Sequence, residues 1–98
     1  MNDRIVLSAE AIDGMEATVS YLAERNPVAA ERVRIAILAA LDTLACTAPR
    51  VEGRPAELEP GVDCRRHFVH PVVILYQREP GVLHVLSVRH HARAPIAR

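Results

Sequence analysis

Residues Val72-Val73-Ile74-Leu75-Tyr76 form a stretch with no polar face. A strand alternates its side chains between two surfaces, so this one must be covered on both and belongs at the centre of a sheet. Its neighbours fit that placement. Residues 65–70 and 82–89 read as strands, and Glu79-Pro80-Gly81-Val82 sets proline and glycine at the central positions of a type II turn. The C-terminal half therefore predicts a meander of three strands, which needs a second layer to close one face.

The N-terminal half supplies it. Residues 4–7 are a short β-branched run that ends at Ser8, a residue suited to cap a helix. From there to about residue 25, Ile12, Met15, Val19 and Leu22 recur at spacings of three, four and three, which predicts one apolar helical face. Asn26-Pro27 stops this helix and starts another, because proline cannot continue a helix but fits the first turn of one capped by asparagine. The second helix, residues 27–46, carries Ala30, Val33, Ile37, Leu41 and Leu44 as its main stripe. Ile35, Leu38 and Ala39 form a further apolar flank with two readings: contact with the sheet of the same chain, or a groove for a partner's amphipathic helix. Residues 48–63 hold Pro49, Pro55, Pro60, Gly53 and Gly61 and are expected to be a loop. The resulting order is β-α-α-β-β-β, an α+β domain over residues 1–98 with a helical hairpin on one face of a small, largely antiparallel sheet.

Charge looks uninformative until it is divided. Twelve arginines and no lysine balance twelve acids, but four arginines face seven acids over residues 1–49 and eight face five over 50–98. From Cys64 onward six arginines meet only Glu79, and all five histidines lie there. A cationic C-terminal third favours an anionic partner. With three aromatics, Tyr21, Phe68 and Tyr76, and no net charge, composition argues against a dedicated single-strand nucleic-acid binder. Cys46 and Cys64 form no metal-binding pair, and neither a signal peptide nor a membrane span is visible, so a reduced cytoplasmic setting is expected.

No glycine-rich phosphate loop, nucleophile elbow, HExxH or CxxC occurs. The remaining chemistry lies in the C-terminal cluster of histidines and arginines. Strand alternation is expected to place His84 and His90 on one face with Leu86 and Val88, and Arg89 and His91 on the other. Adjacent histidines then cannot share a metal, and neither a metal nor a cofactor is expected. Metal-free RNA cleavage needs a base, a cation for the phosphorane and an acid, which Arg65, Tyr76, Arg89, His90 and His91 offer as residue types.

Several segments carry a family pattern. Leu7-Ser8-Ala9-Glu10-Ala11, the run 21–27 ending in Asn26-Pro27, Ala29-Ala30-Glu31-Arg32, Gly53-Arg54-Pro55, Arg65, Ile74-Leu75-Tyr76 and the run 85–90 follow in an order and spacing that resembles toxins of the RelE/ParE superfamily of bacterial type II toxin–antitoxin systems. The hairpin with its Asn-Pro junction is most similar to the ParE branch. The resemblance implies the same β-α-α-β-β-β fold and one of two activities: ribosome-dependent cleavage of messenger RNA, as in RelE and YoeB, or binding and poisoning of DNA gyrase, as in ParE. The chain departs from the nuclease pattern. It lacks lysine, has no aromatic after Tyr76, and carries Ala56 and Val73 where YoeB-like enzymes have a glutamate and an arginine, with Glu57 one place on and His90 or His91 at the terminal histidine. The resemblance thus implies a gyrase inhibitor neutralised by a ParD-like antitoxin in a hetero-oligomer. Target contacts are expected from Arg89, His90, His91, Arg93 and Arg98, and antitoxin contacts from Ile35, Leu38, Ala39, Arg65 and Arg66. The alternative is an endoribonuclease using the ribosome and messenger RNA, and the third reading is an inactive homologue that keeps only antitoxin binding.

Overall fold

A computed structural model describes residues 2–46, 52–59 and 61–90. The chain runs β1 (Arg4–Leu7), α1 (Ala9–Ala23), α2 (Pro27–Ala45), β2 (Arg54–Glu59), β3 (Val62–Val69), β4 (Val72–Glu79) and β5 (Val82–His90). The five strands form one sheet in the order β1-β5-β4-β3-β2, antiparallel except for the parallel pair β1 and β5. β4 lies at the centre, where its unbroken apolar run requires it to be. This is the α+β architecture that the helices-then-meander order predicts, with one strand more.

The extra strand is β2, inside the segment expected to be a loop. It pairs only with β3, so it is an edge strand, and an edge tolerates Pro55 because no second neighbour needs its missing N–H. Ala56 and Leu58 alternate toward a small apolar cluster on the sheet face away from the helices, around Cys64, Val73 and Leu75. Proline and glycine density concealed that alternation.

Both helix starts follow their sequence signals. The Ser8 hydroxyl accepts the Ala11 amide at 3.0 Å and donates to the Leu86 carbonyl at 2.7 Å, which fixes the start of α1 to β5. Asn26 accepts the Ala29 amide at 3.1 Å and Pro27 opens α2. The glycine of the β4–β5 turn, Gly81, has φ +76°, as a type II turn requires at that position.

The main core lies between the helices and the sheet, where Ile37, Leu41 and Leu44 of α2 meet Val72, Ile74 and Tyr76 of β4 and Leu83, Val85 and Val88 of β5. The apolar face of α1 differs from the expected one. Ile12 is 40% exposed, while Ala11 and Thr18 are buried and Met15, Val19 and Leu22 half-buried. The reason is the distance to β5: a Cβ on Gly14 would stand 2.0 Å from the Val88 carbonyl oxygen, so only small residues fit between helix and strand. The flank Ile35, Leu38 and Ala39 is not covered by the sheet. Ile35 is 55% and Leu38 41% exposed, and Ala39 is exposed beside them, which overturns the reading of an intrachain contact.

Candidate functional sites

The sheet has one face covered by the helices and a second, the open face, that no described helix covers although Val73, Leu75 and Ser87 on it are buried, and the register decides which candidate residues share a surface. Along β4, Val72, Ile74 and Tyr76 point to the helices, and Val73, Leu75 and Gln77 to the open face. Tyr76 is fully buried in the core. Its hydroxyl accepts the Gly53 amide at 2.6 Å, and Arg65, directly opposite Tyr76 on β3, donates from Nη1 to the Gly53 carbonyl at 2.8 Å. Gly53 is needed there, since a Cβ would lie 2.1 Å from the Arg66 carbonyl oxygen.

A chain of charges surrounds this anchor. Glu52 takes Arg65 Nε at 3.3 Å and Arg78 Nε at 2.7 Å, and Arg78 Nη1 reaches Asp3 Oδ2 at 2.9 Å. The side chains of Arg78 and Asp3 are 13% and 4% exposed. Burial opposes the charge on Arg78, but the bonds to Asp3 and Glu52 outweigh it and hold the guanidinium above its ordinary pKa. Asp3, Glu52 and Arg78 were not singled out from the sequence. The available signal was the position of Arg78 two residues past Tyr76, on the same face of the strand.

Arg89 and His90 lie elsewhere. His90 faces Val72 across the β4–β5 ladder, four residues from Tyr76 along β4, about 13 Å away at strand rise. It packs edge-on against Tyr21 of α1, with 5.9 Å between ring centroids. Arg89 points to the open face, donates to Ser87 Oγ at 3.0 Å and pairs with Glu10 at 3.4 Å. Of the four described residues among the five expected to serve an RNA-cleaving site, only Arg65 and Tyr76 come together. His91, Arg93 and Arg98 lie outside the described residues.

The expected partition of the histidines requires a correction. The register shifts between Leu75 and Tyr76, where Leu75 faces Ser87 and Tyr76 faces Val85, leaving Leu86 as the extra residue of a bulge. This reverses the alternation within β5. His84, opposite Gln77, is on the open face with Leu86, whereas His90 and Val88 face the helices. Among the described residues, no group of three His, Cys, Asp or Glu is placed to hold a metal.

The antitoxin candidates also separate. Ile35, Leu38 and Ala39 are on the outer surface of α2, Arg65 is tied to Glu52 and Gly53, and Arg66 lies on the open sheet face opposite Leu75. No described helix is long and apolar enough to cross a membrane.

Burial pushes the Cys64 thiol up and the His67 imidazole below its ordinary value of 6.5. For His67 this fixes the sign of a pH effect. A lowered folded pKa means that the unfolded chain binds the proton more readily, so its contribution to stability is full above pH 6.5 and is lost as pH falls through the folded pKa. Replacing His67 with glutamine is expected to flatten this acid-side decline in urea-unfolding midpoints. An unchanged slope would assign the decline to other groups.

Comparison with known proteins places this geometry. Toxin RelE2 of Caulobacter vibrioides is 30% identical over 90 residues, which cover 92% of this chain and 97% of that protein. Among solved structures, the chromosomal ParDE TA system from P. aeruginosa gives a TM-score of 0.73 at 18% identity, covering 90% of this chain and 95% of that one. A YoeB/ParE toxin from Agrobacterium tumefaciens gives 0.53 at 17% identity, covering 90% and 98%. These two structures share the fold. Residues 5–95 match the family model described as the ParE toxin of type II toxin-antitoxin system, parDE, and by that match the chain belongs to the ParE toxin family.

Proposed function

We propose that this toxin is a single domain spanning residues 1–98 that acts in the bacterial cytoplasm by binding DNA gyrase, without covalent chemistry of its own, and that a ParD-like antitoxin neutralises it. The observation that carries this reading is the dispersal of the residues an RNA-cleaving site would need. Tyr76 is buried with its hydroxyl on the Gly53 amide, Arg65 is bound to Glu52 and Gly53, and Arg89 and His90 stand at the other end of the sheet on opposite faces. A general acid must reach the leaving oxygen, and a buried, engaged phenol does not. The name of the solved ParDE system supports an antitoxin partner. The exposed stripe of Ile35, Leu38 and Ala39 is the surface we assign to it, and an antitoxin segment that also meets Arg65 and Arg66 must wrap from α2 around to the sheet. The basic end at 89–98 is the surface we assign to gyrase.

A ribosome-dependent ribonuclease is the second reading, favoured by the relative named RelE2. Two assays on the purified chain separate them: gyrase-dependent linearisation of supercoiled plasmid and ribosome-stimulated cleavage of messenger RNA. Linear plasmid without RNA cleavage is expected, and RNA cleavage alone overturns the proposal. Expression that leaves growth unharmed would place the chain with homologues that keep only antitoxin binding. Leu38→Asp and Ile35→Asp, both at exposed positions, are expected to leave the fold and toxicity intact and to weaken rescue by the neighbouring antitoxin at least tenfold. Full rescue would remove α2 from the antitoxin interface.

A further inference from the structure

A groove of about 460 Å³ opens where the end of α1, the start of α2, the β3–β4 turn and the end of β5 converge. Leu22, Ala29, Val33 and Pro71 give it an apolar lining, completed by Arg32, His70 and His90. No described residue that lines it is acidic. Arg32 is exposed and forms no ion pair with a described residue, whereas its neighbour Arg34 is held by Glu31. The groove therefore combines apolar walls with one fixed, uncompensated cation. It is also separate from the flank assigned to the antitoxin. Val33 is two residues from Ile35, and at about 100° per residue it points to nearly the opposite side of α2.

We infer that this groove binds a small amphipathic acid, a medium-chain aliphatic monocarboxylate, with its hydrocarbon against Leu22, Val33 and Pro71 and its carboxylate on Arg32. Small-molecule sites are concave and mostly apolar, with a few polar groups that fix orientation, and a volume near the lower end of their range suits a chain of about eight carbons. The planar guanidinium fork matches a carboxylate and takes it in two parallel hydrogen bonds. A neutral molecule of the same shape would use the walls without Arg32, and an amine would meet a like charge. A partner's helix fits less well. It would need anchor pockets repeated along its length, and the lining spans a single turn of α2, from Ala29 to Val33. The inference goes beyond the toxin reading and does not depend on which cellular target the protein inhibits.

NMR titration of the intact chain with octanoate, octanol and octylamine tests it. Octanoate is expected to saturate the amide shifts of Leu22, Ala29 and Val33 with a dissociation constant on the order of 1 mM or below, and to bind roughly tenfold more tightly than hexanoate. Arg32→Ala is expected to weaken octanoate about fivefold and leave octanol unchanged, and Arg32→Glu to turn the preference toward octylamine. Ala29→Leu, which fills the groove, is expected to weaken octanoate and octanol alike. Arg34→Ala, at another exposed position of α2, is the unchanged control. Thermal melting verifies that the variants fold, and the exposed Arg32 pair decides the outcome if Ala29→Leu does not. Octylamine binding the parent as tightly as octanoate, or octanoate binding unaffected by Arg32→Ala, would overturn the inference. So would shifts that fail to saturate with octanoate. Should Arg32→Ala weaken antitoxin rescue while octanoate does not bind, the groove belongs to the antitoxin interface and the carboxylate site is refuted, with the toxin reading left standing.

Discussion

Gly14→Ala is expected to destabilise the fold by about 3 kcal/mol, a drop of at least 10 °C in Tm for a chain of this size. In an exposed helix the same change would stabilise by about 1 kcal/mol, because alanine is the better helix former. The sign reverses here because the added carbon would meet the Val88 carbonyl oxygen at 2.0 Å and its carbon at 3.1 Å. Neither side can move easily. β5 is held by its ladder to β4, and the start of α1 is fixed by the Ser8 hydroxyl on the Leu86 carbonyl and the Ser8 amide on the Val85 carbonyl at 3.0 Å. The neighbouring Glu16→Ala, at an exposed position of the same helix, supplies the comparison and should leave the urea midpoint nearly unchanged. A Gly14→Ala variant as stable as the parent would mean that α1 does not lie this close to β5.

That contact also explains where sequence reading succeeded and where it failed. The apolar run of β4 located the centre of the sheet, because a strand without a polar face has one available environment. The Asn26-Pro27 junction and Ser8 marked the helix ends, since their chemistry is local and acts through the amides within one turn. The facing of α1 was misjudged at Ile12 alone among the predicted residues, because apolar spacing favoured it, while close packing on β5 selected the small residues Ala11 and Gly14. Periodicity ranks positions by hydrophobicity and does not record how closely two elements approach. β2 was missed because Pro55 and its flanking prolines outweigh the weak alternation of Ala56 and Leu58, and only the strand's position at the sheet edge makes that proline harmless.

The candidate sites were less legible than the fold, and the bulge at Leu86 shows why. One inserted residue reverses the side-chain parity of β5, so the expectation that His84 and His90 share a face failed although both lie on the one strand, β5. Pairing across strands is likewise invisible in a linear sequence. Arg65 and Tyr76 could be named as candidates, but their opposition, and that of Arg54 and Arg66, depends on register. The exposed flank of α2 was visible as a second stripe, and only the packed structure decides that no part of the sheet covers it.

Arg78→Ala is expected to cost about 3–5 kcal/mol, the range found when one member of a buried ion pair is removed. The loss comes chiefly from what remains. Asp3, with its side chain 4% exposed, keeps its carboxylate in a position whose solvation came in part from the guanidinium, while Glu52 loses one of its two cations. Arg78→Lys should recover only part of this, because a single ammonium lacks the fork that spans Asp3 and Glu52 at 2.9 and 2.7 Å. Asp3→Asn combined with Arg78→Met should be more stable than Arg78→Ala alone, since removing both charges avoids leaving one stranded. Denaturant unfolding of the four proteins orders them as parent, then double variant and lysine variant, then alanine variant. The same series separates architecture from chemistry at this end of the sheet. If Arg78 only secures the segment at Glu52 and Gly53 to β1 and β4, toxicity per folded molecule stays constant across the series. A lysine variant that folds fully yet loses toxicity would instead make Arg78 part of the functional surface.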